Sequence, residues 1–323
     1  MADGLIADIG GTYIRIARIA AEQGLTGRTR EYRCAAFPSV EDALVRFVEE
    51  TGMGQPAHVA LAVASAVTGD TIQFTNSNWK FSQKALCEAM GLTSLRVLND
   101  FEALALALPC LRAEDLRQIG GGEKVTEAPM AVIGPGTGLG VAALIPTGDD
   151  GWLPISSEGG HATISPANEF ETDLLRQAWG ERSHVSCEAF ISGTGLPILY
   201  RALARLLNEP WEEDITADEI GTRAMGGVDP LCLKTVQTFC DMLGTAAGNV
   251  ALNFCARGGV FIGGGIVPKV LPLFMSSHFR SRFESKGRFA AYLESIPVHV
   301  VTADMPALSG LSAVMMRTLR GGK

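Results

Sequence analysis

The sequence lacks any pair of cysteines at metal-binding or redox spacing, although seven cysteines occur among its 323 residues. They are far apart and odd in number, a distribution that predicts neither a disulfide framework nor a cysteine-based zinc site. A basic segment followed by an apolar run is also missing from the first residues, so a secretory signal is not expected. These absences favour a reducing compartment, and we expect the cytoplasm.

Basic residues are outnumbered, with 27 Lys and Arg against 35 Asp and Glu and a formal net charge of −8. Without a basic surplus to neutralise a phosphate backbone, a general nucleic-acid binder is excluded. Charged residues make up 19% of the chain and hydrophobic residues 47%, a balance that excludes extensive disorder. The longest stretch without charge, residues 128–148, contains glycine turns and three prolines, so we expect no transmembrane helix and no membrane partner.

One arrangement of strand, glycine turn and strand occurs twice. Residues 5–9 lead through Gly10-Gly11-Thr12 into a second apolar run, and residues 130–133 lead through Gly134-Pro-Gly-Thr-Gly-Leu-Gly140 into residues 141–145. Each copy alone suits an ordinary hairpin, because glycine serves any turn that needs positive φ. Other patterns predict strands at 58–67, 260–262 and 298–301 and helices at 40–50, 101–107, 169–179, 196–207, 230–255 and 308–319. The length suits one large or two medium domains, with a candidate seam at 109–114.

The two glycine turns are candidate phosphate sites, because glycine lets successive backbone N–H groups approach an anion. The P-loop pattern is absent, and the spacing from Gly134 to Gly140 does not fit the dinucleotide-binding pattern. Both of those folds are therefore disfavoured, and two such turns would instead clamp one polyphosphate. Asp8 precedes the first turn, where a carboxylate beside phosphate suits a bridging cation, and we expect Mg²⁺.

Polar residues follow other apolar runs. Asn99 and Asp100 separate a strand-like run from a helical pattern, where helix capping is an equal alternative to a functional role. Glu158 and His161 flank two glycines, and Glu188 follows later, where it also suits plain surface charge. Carboxylates and an imidazole on flexible backbone suit sugar hydroxyls, which both donate and accept hydrogen bonds.

A metal site is the alternative for the pair Glu158-x-x-His161. Glu181-x-x-His184 has the same spacing, so a two-metal carboxylate centre is a further candidate. Such a centre needs both motifs on bundle helices, and the glycines between Glu158 and His161 disfavour a helix there.

Five motifs occur in one order along the chain: Asp8-Ile-Gly-Gly-Thr12, Leu98-Asn-Asp-Phe101, Gly134-Pro-Gly-Thr-Gly-Leu-Gly140, Glu158-Gly-Gly-His161 and Phe261-Ile-Gly-Gly-Gly-Ile-Val-Pro268. With these motifs the chain resembles bacterial glucokinases over nearly its whole length, residues 75–79 and 279–289 included. The resemblance implies an actin-like, ribonuclease-H-like α/β fold of two domains, with the active site in the interdomain cleft, and a homodimer.

The resemblance also implies domain bounds and roles. Residues 1–109 and 305–323 would form a small α/β domain, and residues 110–304 a large one. D-glucose and MgATP would be the substrates, with Asp100 as the general base and Asp8 in contact with Mg²⁺ directly or through water. The sugar contacts would be Asn99, Asp100, Glu158, His161 and Glu188; the phosphate contacts Gly10, Gly11, Thr12, Gly136, Thr137 and Gly138; and the nucleoside contacts Gly263, Gly264 and Gly265.

Three residues depart from the family pattern. Tyr13 stands where many relatives have Asn, Ala66 where a proline is common, and Thr194 where a Ser-Gly-Pro-Gly stretch has its proline. The first affects side chains at the phosphate turn, and the other two affect loop stiffness near the sugar.

Two alternatives stay open. A kinase of another hexose or an N-acetylhexosamine, or one that uses polyphosphate as its donor, would have similar motifs, because specificity depends on how each buried hydroxyl partner is satisfied. A non-catalytic sugar sensor or transcriptional regulator on the same fold would need a DNA-binding extension, and we expect no room for one before Leu5.

Overall fold

The structure is a computed structural model that describes residues 3–22, 24–74, 79–148, 151–180 and 182–320. The chain divides into two compact units, residues 1–111 with 304–323 and residues 112–303. In the described part of the chain, no helix combines the length and apolarity needed to cross a bilayer.

The described residues form thirteen strands and twelve α-helices. The strands are β1 (Asp3–Ile9), β2 (Tyr13–Ala20), β3 (Gly24–Arg33), β4 (His58–Val63), β5 (Thr71–Gln73), β6 (Lys80–Ser82), β7 (Ser94–Asn99), β8 (Leu116–Gln118), β9 (Met130–Pro135), β10 (Leu139–Gly148), β11 (Gly151–Ser157), β12 (Gly259–Ile262) and β13 (Val298–Val301). The helices are α1 (Val40–Thr51), α2 (Gln83–Ala89), α3 (Asp100–Ala107), α4 (Glu169–Trp179), α5 (Leu196–Leu207), α6 (Ala217–Gly226), α7 (Pro230–Phe254), α8 (Ile266–Lys269), α9 (Leu271–Met275), α10 (Phe279–Glu284), α11 (Ala290–Glu294) and α12 (Pro306–Leu319).

The first unit is built on a sheet of order β3-β2-β1-β4-β7, in which β1 is antiparallel to β2 and parallel to β4. Successive side chains of a strand point to opposite faces, so Leu5 joins the core under α1, whereas Ile6 joins the core under α3 and α12. Helices thus cover both faces, which removes the apolar side chains of β1 and β4 from water. Strands β5 and β6 form a separate hairpin.

Helix α12 closes the first unit by packing on α3. A Cβ built on Gly310 would lie 1.8 Å from the carbonyl oxygen of Ala103, so only glycine permits this approach. The start of α3, which carries Asp100, is therefore held by a helix from the other end of the chain.

Five strands of the second unit repeat the strand order of the first, and β8 adds a sixth strand at the edge. The sheet of this unit runs β11-β10-β9-β12-β13-β8, with β9 antiparallel to β10 and parallel to β12. Its core includes most of α7, where Asp229 caps the N-terminus and Cys255 ends the helix in the left-handed region at φ 50°. In both units the first hairpin carries the glycine turn, so the repeated sequence pattern corresponds to a repeated structure.

Several predicted elements have other bounds in the structure. The strand predicted at 58–67 ends at Val63, because the chain turns there and the Ser65 N–H donates to the Val63 carbonyl at 2.8 Å. The long helix ends at residue 254 because of the left-handed residue that follows, and the last helix begins two residues early, at a proline that suits the first turn.

Candidate active site

The sheet of the first unit brings its predicted site residues to one edge. Ile9, Val63 and Asn99 lie in register across the parallel strands β1, β4 and β7. Because the carboxyl ends of parallel strands meet at the same edge, Asp8 and the first glycine turn lie there together with Asn99 and Asp100.

The first glycine turn is held by its backbone. The Gly10 N–H donates to the Tyr13 carbonyl at 2.9 Å, and the Cys34 N–H donates to the Thr12 carbonyl at 2.9 Å. Gly11 and Thr12 are exposed. Tyr13 serves the turn through its carbonyl while its ring lies under the Arg33 guanidinium, 5.9 Å from the centroid. The contact of residue 13 with the turn is made by its backbone, so tyrosine in place of asparagine leaves this contact unchanged.

The two carboxyls at this edge are electrostatically coupled. Burial and, after it, the negative charge of Asp8 together raise the pKa of Asp100 to about 6, against the opposing effect of the Phe101 N–H, which donates to its carboxylate at 3.0 Å. Burial also raises the pKa of Asp8, opposed by the Arg15 guanidinium 3.7 Å away. A carboxyl with a pKa close to neutrality is suited to proton transfer.

Asn99 caps α3, which is the helix-capping role that the sequence offered as an alternative to a functional one. Its Oδ1 accepts from the N–H groups of Phe101 and Glu102 at 2.9 and 3.4 Å, and its Nδ2 donates to the Ser65 carbonyl at 3.3 Å. The cap fixes the direction in which α3 leaves the sheet, and with it the position of Asp100.

The first unit suits a divalent cation held together with a substrate phosphate. In the described residues no three His, Cys, Asp or Glu side chains form a metal cluster. Mg²⁺, however, is bound in such sites by one or two carboxylates, substrate phosphates and waters. Asp8 fits this role, because its carboxyl lies next to an exposed glycine turn. Its contact with the Arg15 guanidinium, at 3.7 Å, is too long for a direct hydrogen bond and leaves the carboxylate able to bind a cation.

The second unit brings Glu158, His161 and Glu188 together. His161 Nε2 lies 4.0 Å from Glu158 Oε2, and His161 Nδ1 lies 3.9 Å from Glu188 Oε1. The side chains of Glu158 and His161 are 69% and 61% exposed, so they are accessible to a ligand. Gly159–His161 forms a 3-10 turn that follows β11, and Ser157 Oγ accepts the Gly159 N–H at 2.9 Å.

The second glycine turn lies beside this cluster. The Gly136 N–H donates to the Gly138 carbonyl at 2.8 Å, which closes the turn between β9 and β10. The Leu139 N–H directly after the turn donates to Glu188 Oε2 at 2.8 Å. A predicted sugar contact therefore touches a predicted phosphate turn.

The glycines after β12 approach the same hairpin. The Gly263 N–H donates to the Ile133 carbonyl at 3.0 Å. Gly264 has φ +77°, and a Cβ at this position would lie 2.3 Å from the Pro135 carbonyl oxygen. The run from Gly263 to Gly265 thus lies against the strand that enters the second turn.

A cavity of about 500 Å³ follows this glycine run and was not predicted from the sequence. Ile266, Lys269 and Val270 line one side, and Phe239 and Gly221 line the other. Its walls come from α5, α6, α7 and the residues after Gly265, which are far apart in the chain. No local sequence pattern marks such a site. The one sequence clue is that Ile266 directly follows Gly265, a predicted nucleoside contact.

The remaining sequence hypotheses have mixed outcomes. Glu158 and His161 lie at a strand end and a 3-10 turn rather than on bundle helices, so the two-metal centre lacks its geometry in the described residues. Glu181 and residues 75–78 lie outside the described residues. Ala66 is exposed after β4, and Thr194 contacts the second turn.

The fold defines the class of this protein, which is the actin-like, ribonuclease-H-like α/β class. A family model described as Glucokinase matches residues 5–318. A glucokinase structure from an Antarctic psychrotroph superimposes with a TM-score of 0.87 at 34% identity, covering 98% of this chain and 99% of that one. The chain belongs to the glucokinase family, which confirms the resemblance and the predicted fold class.

Two curated relatives differ in how much of their length the chain covers. A glucokinase of Chromobacterium violaceum is 44% identical over 309 residues, which span 96% of this chain and 88% of that protein. A bifunctional protein of Paraburkholderia xenovorans is 45% identical over 320 residues, 98% of this chain, and the chain spans 50% of that relative's length.

Proposed function

We propose that the protein is an ATP-dependent glucokinase, which transfers the γ-phosphoryl group of ATP to the 6-hydroxyl of D-glucose and releases ADP and glucose 6-phosphate. Asp100 carries the proposal, because its carboxyl combines a pKa of about 6 with a fixed position at the start of α3. Its carboxylate accepts the hydroxyl proton as the sugar oxygen attacks phosphorus in line.

The other roles divide between the two units. In the first, Asn99 orients the sugar beside Asp100, Gly10, Gly11 and Thr12 hold phosphate, and Asp8 holds Mg²⁺ directly or through water. In the second, Glu158, His161 and Glu188 bind sugar hydroxyls, Gly136, Thr137 and Gly138 hold phosphate, and Gly263, Gly264 and Gly265 line the nucleoside. Mg²⁺ supplies charge neutralisation for the phosphates when bound.

The cavity after Gly265 is the site we assign to the nucleoside base. Its walls are largely apolar, with Val236, Phe239 and Ile266 among them, and Lys269 pairs with Asp218 at 2.7 Å at its exposed side. A flat heteroaromatic ring suits an apolar cavity of this size.

The proposal also includes the oligomeric state and the cellular location of the protein. We infer a homodimer, which light scattering would report as twice the 34.2 kDa chain mass. We infer a cytoplasmic location, supported by seven cysteines that are all free thiols in the structure. A monomer mass at micromolar concentration would contradict the first inference.

The test is an ADP-release assay with MgATP and, in parallel, glucose, mannose, fructose and N-acetylglucosamine. Asp100→Asn keeps an acceptor for the Phe101 N–H but loses the base, so kcat with glucose falls by about 10²- to 10⁴-fold. Asp42→Asn, an exposed acid on α1, is the matched control and keeps wild-type turnover.

Each other outcome changes one part of the proposal. Faster turnover of another sugar keeps the mechanism and changes the acceptor. Turnover with polyphosphate but not ATP changes the donor. Glucose binding without turnover on either donor favours the sugar sensor.

A further inference from the structure

Glu188 contacts both predicted ligand sites of the second unit. One carboxylate oxygen, Oε2, accepts the Leu139 N–H at 2.8 Å, immediately after the phosphate turn. A Cβ built on Gly138 would lie only 2.4 Å from the same oxygen. The other oxygen, Oε1, faces His161 Nδ1 at 3.9 Å in the sugar cluster. The carboxylate therefore bridges the two sites with one oxygen on each.

The backbone around Glu188 leaves little freedom for either site to move alone. The Glu188 N–H donates to the Gly160 carbonyl at 2.9 Å, within the turn that carries His161. Gly160 in turn packs on Leu139, where an added Cβ would lie 1.9 Å from the carbonyl oxygen. The turn at Gly159–His161 and the hairpin of β9 and β10 are thus held together by the same contacts.

The segment after Glu188 adds three hydrogen bonds to the phosphate turn. The Gly193 N–H donates to the Gly136 carbonyl at 2.8 Å, and the Thr194 N–H and Oγ1 each donate to the Thr137 carbonyl at 3.2 Å. The buried Ser192 hydroxyl ties this segment back to the Glu188 carbonyl at 2.8 Å. A proline at position 194 would have neither the N–H nor the hydroxyl, so two of these three hydrogen bonds would be lost.

We propose that Glu188 couples the sugar site to the phosphate turn, so that glucose and the nucleotide strengthen each other's binding, with Thr194 as a positioning residue. The inference rests on the proposed function, since it takes Glu188 as a sugar contact and the turn as a phosphate contact. A sugar hydroxyl on Glu188 fixes the carboxylate in the orientation that accepts the Leu139 N–H. Phosphate on the turn fixes the same N–H, so each ligand favours the arrangement that the other needs.

The first measurement is glucose binding by calorimetry without nucleotide. Gly138→Ala places a Cβ against the Glu188 carboxylate and displaces it, so we expect glucose affinity to fall by about tenfold. Gly54→Ala is the control, because an added Cβ there has no atom within 4 Å and Gly54 belongs to neither predicted site. Both glycines lie outside the left-handed region, so alanine fits their backbone. We expect Gly54→Ala to bind glucose with wild-type affinity.

The second measurement is the ratio of glucose dissociation constants without and with a saturating non-hydrolysable ATP analogue and Mg²⁺. We expect a ratio of about five or more for the wild type. Thr194→Val loses the hydroxyl, which lowers nucleotide affinity by about two- to tenfold and lowers the ratio. Thr194→Ser restores both, and Thr172→Val, which loses a similar hydroxyl bond on α4, changes neither.

The outcomes separate this inference from the proposed function. A wild type that phosphorylates glucose overturns the inference if its ratio is one, or if Gly138→Ala binds glucose normally. A purely structural role for Thr194 would lower the thermal midpoint of Thr194→Val and leave the ratio unchanged, which also contradicts it. A wild type that neither binds nor phosphorylates glucose overturns the proposed function itself.

Discussion

Burying the carboxyl of Asp100 costs the protein folding stability. An unfolded aspartate has a pKa of about 3.8, whereas Asp100 in the folded chain has a pKa of about 6. The folded state therefore binds more protons between these values, and its stability falls as pH rises through that window. The two strongest causes are burial and the charge of Asp8, both of which penalise the ionised form.

Asp100→Asn should therefore unfold at a higher temperature than the wild type at pH 8, in the absence of ligands and Mg²⁺. The expected gain is on the order of 2 kcal/mol, because asparagine has no charge to bury. At pH 4, where aspartate is protonated in the folded chain, the gain should vanish. Thermal unfolding followed by circular dichroism at both pH values tests this.

Asp8→Asn provides the control for that experiment. It removes the like charge beside Asp100, so the advantage of Asp100→Asn should shrink in a chain that already contains it. If Asp100→Asn stabilises the wild type and the Asp8→Asn variant equally, the charge of Asp8 does not raise the pKa of Asp100. A stability gain that does not depend on pH would contradict the raised pKa itself.

At the scale of elements, Gly264 packs the segment after β12 against the hairpin of β9 and β10. Its φ of +77° strains any other residue, and a Cβ would lie 2.3 Å from the Pro135 carbonyl oxygen. Gly264→Ala should therefore lower the free energy of unfolding by about 1–3 kcal/mol. The matched variant is Gly265→Ala, which has a negative φ and no atom within 4 Å, and which should leave the unfolding midpoint close to that of the wild type. Equal midpoints for the two variants would show that this contact adds nothing to stability.

The sequence predicted the elements whose patterns are strong and local. Helices α4 and α5 have the predicted bounds because their apolar residues recur at helical spacing, and strand β13 has them because it is a short apolar run. Short elements such as β8 and α9 are not visible in the sequence, since three to five residues hold too few periods. Tertiary contacts, not local preference, form them.

The sequence supplied candidate site residues but not the contacts among them. Glycine, carboxylate and imidazole motifs identified the candidate positions, and the family resemblance gave them roles. The bond from Leu139 to Glu188 joins positions 49 residues apart, and the walls of the cavity proposed for the nucleoside come from four separate helices. The spacing of residue types along the chain cannot predict such contacts, because they form only when distant segments come together in the fold.

At the scale of the whole molecule, the same order of five strands serves both units, and each places a glycine turn at its first hairpin. The proposed roles then divide: the base Asp100 belongs to the first unit, while Glu158, His161 and Glu188 belong to the second. Loss of the base should therefore leave most sugar contacts in place. Binding and turnover become separable properties of one chain.

This separation distinguishes the kinase from the sugar sensor in a measurement on the intact protein. Glucose at one hundred times its dissociation constant should stabilise the folded chain by about 2.7 kcal/mol, because it binds only the folded state. The rise in unfolding midpoint should be similar in the wild type and in Asp100→Asn, whereas ADP release should occur only in the wild type. Mannitol, which lacks the ring, is the control and should leave both midpoints unchanged. A wild type that is stabilised by glucose but releases no ADP would favour the sensor, and an Asp100→Asn variant that glucose fails to stabilise would make Asp100 chiefly a binding residue.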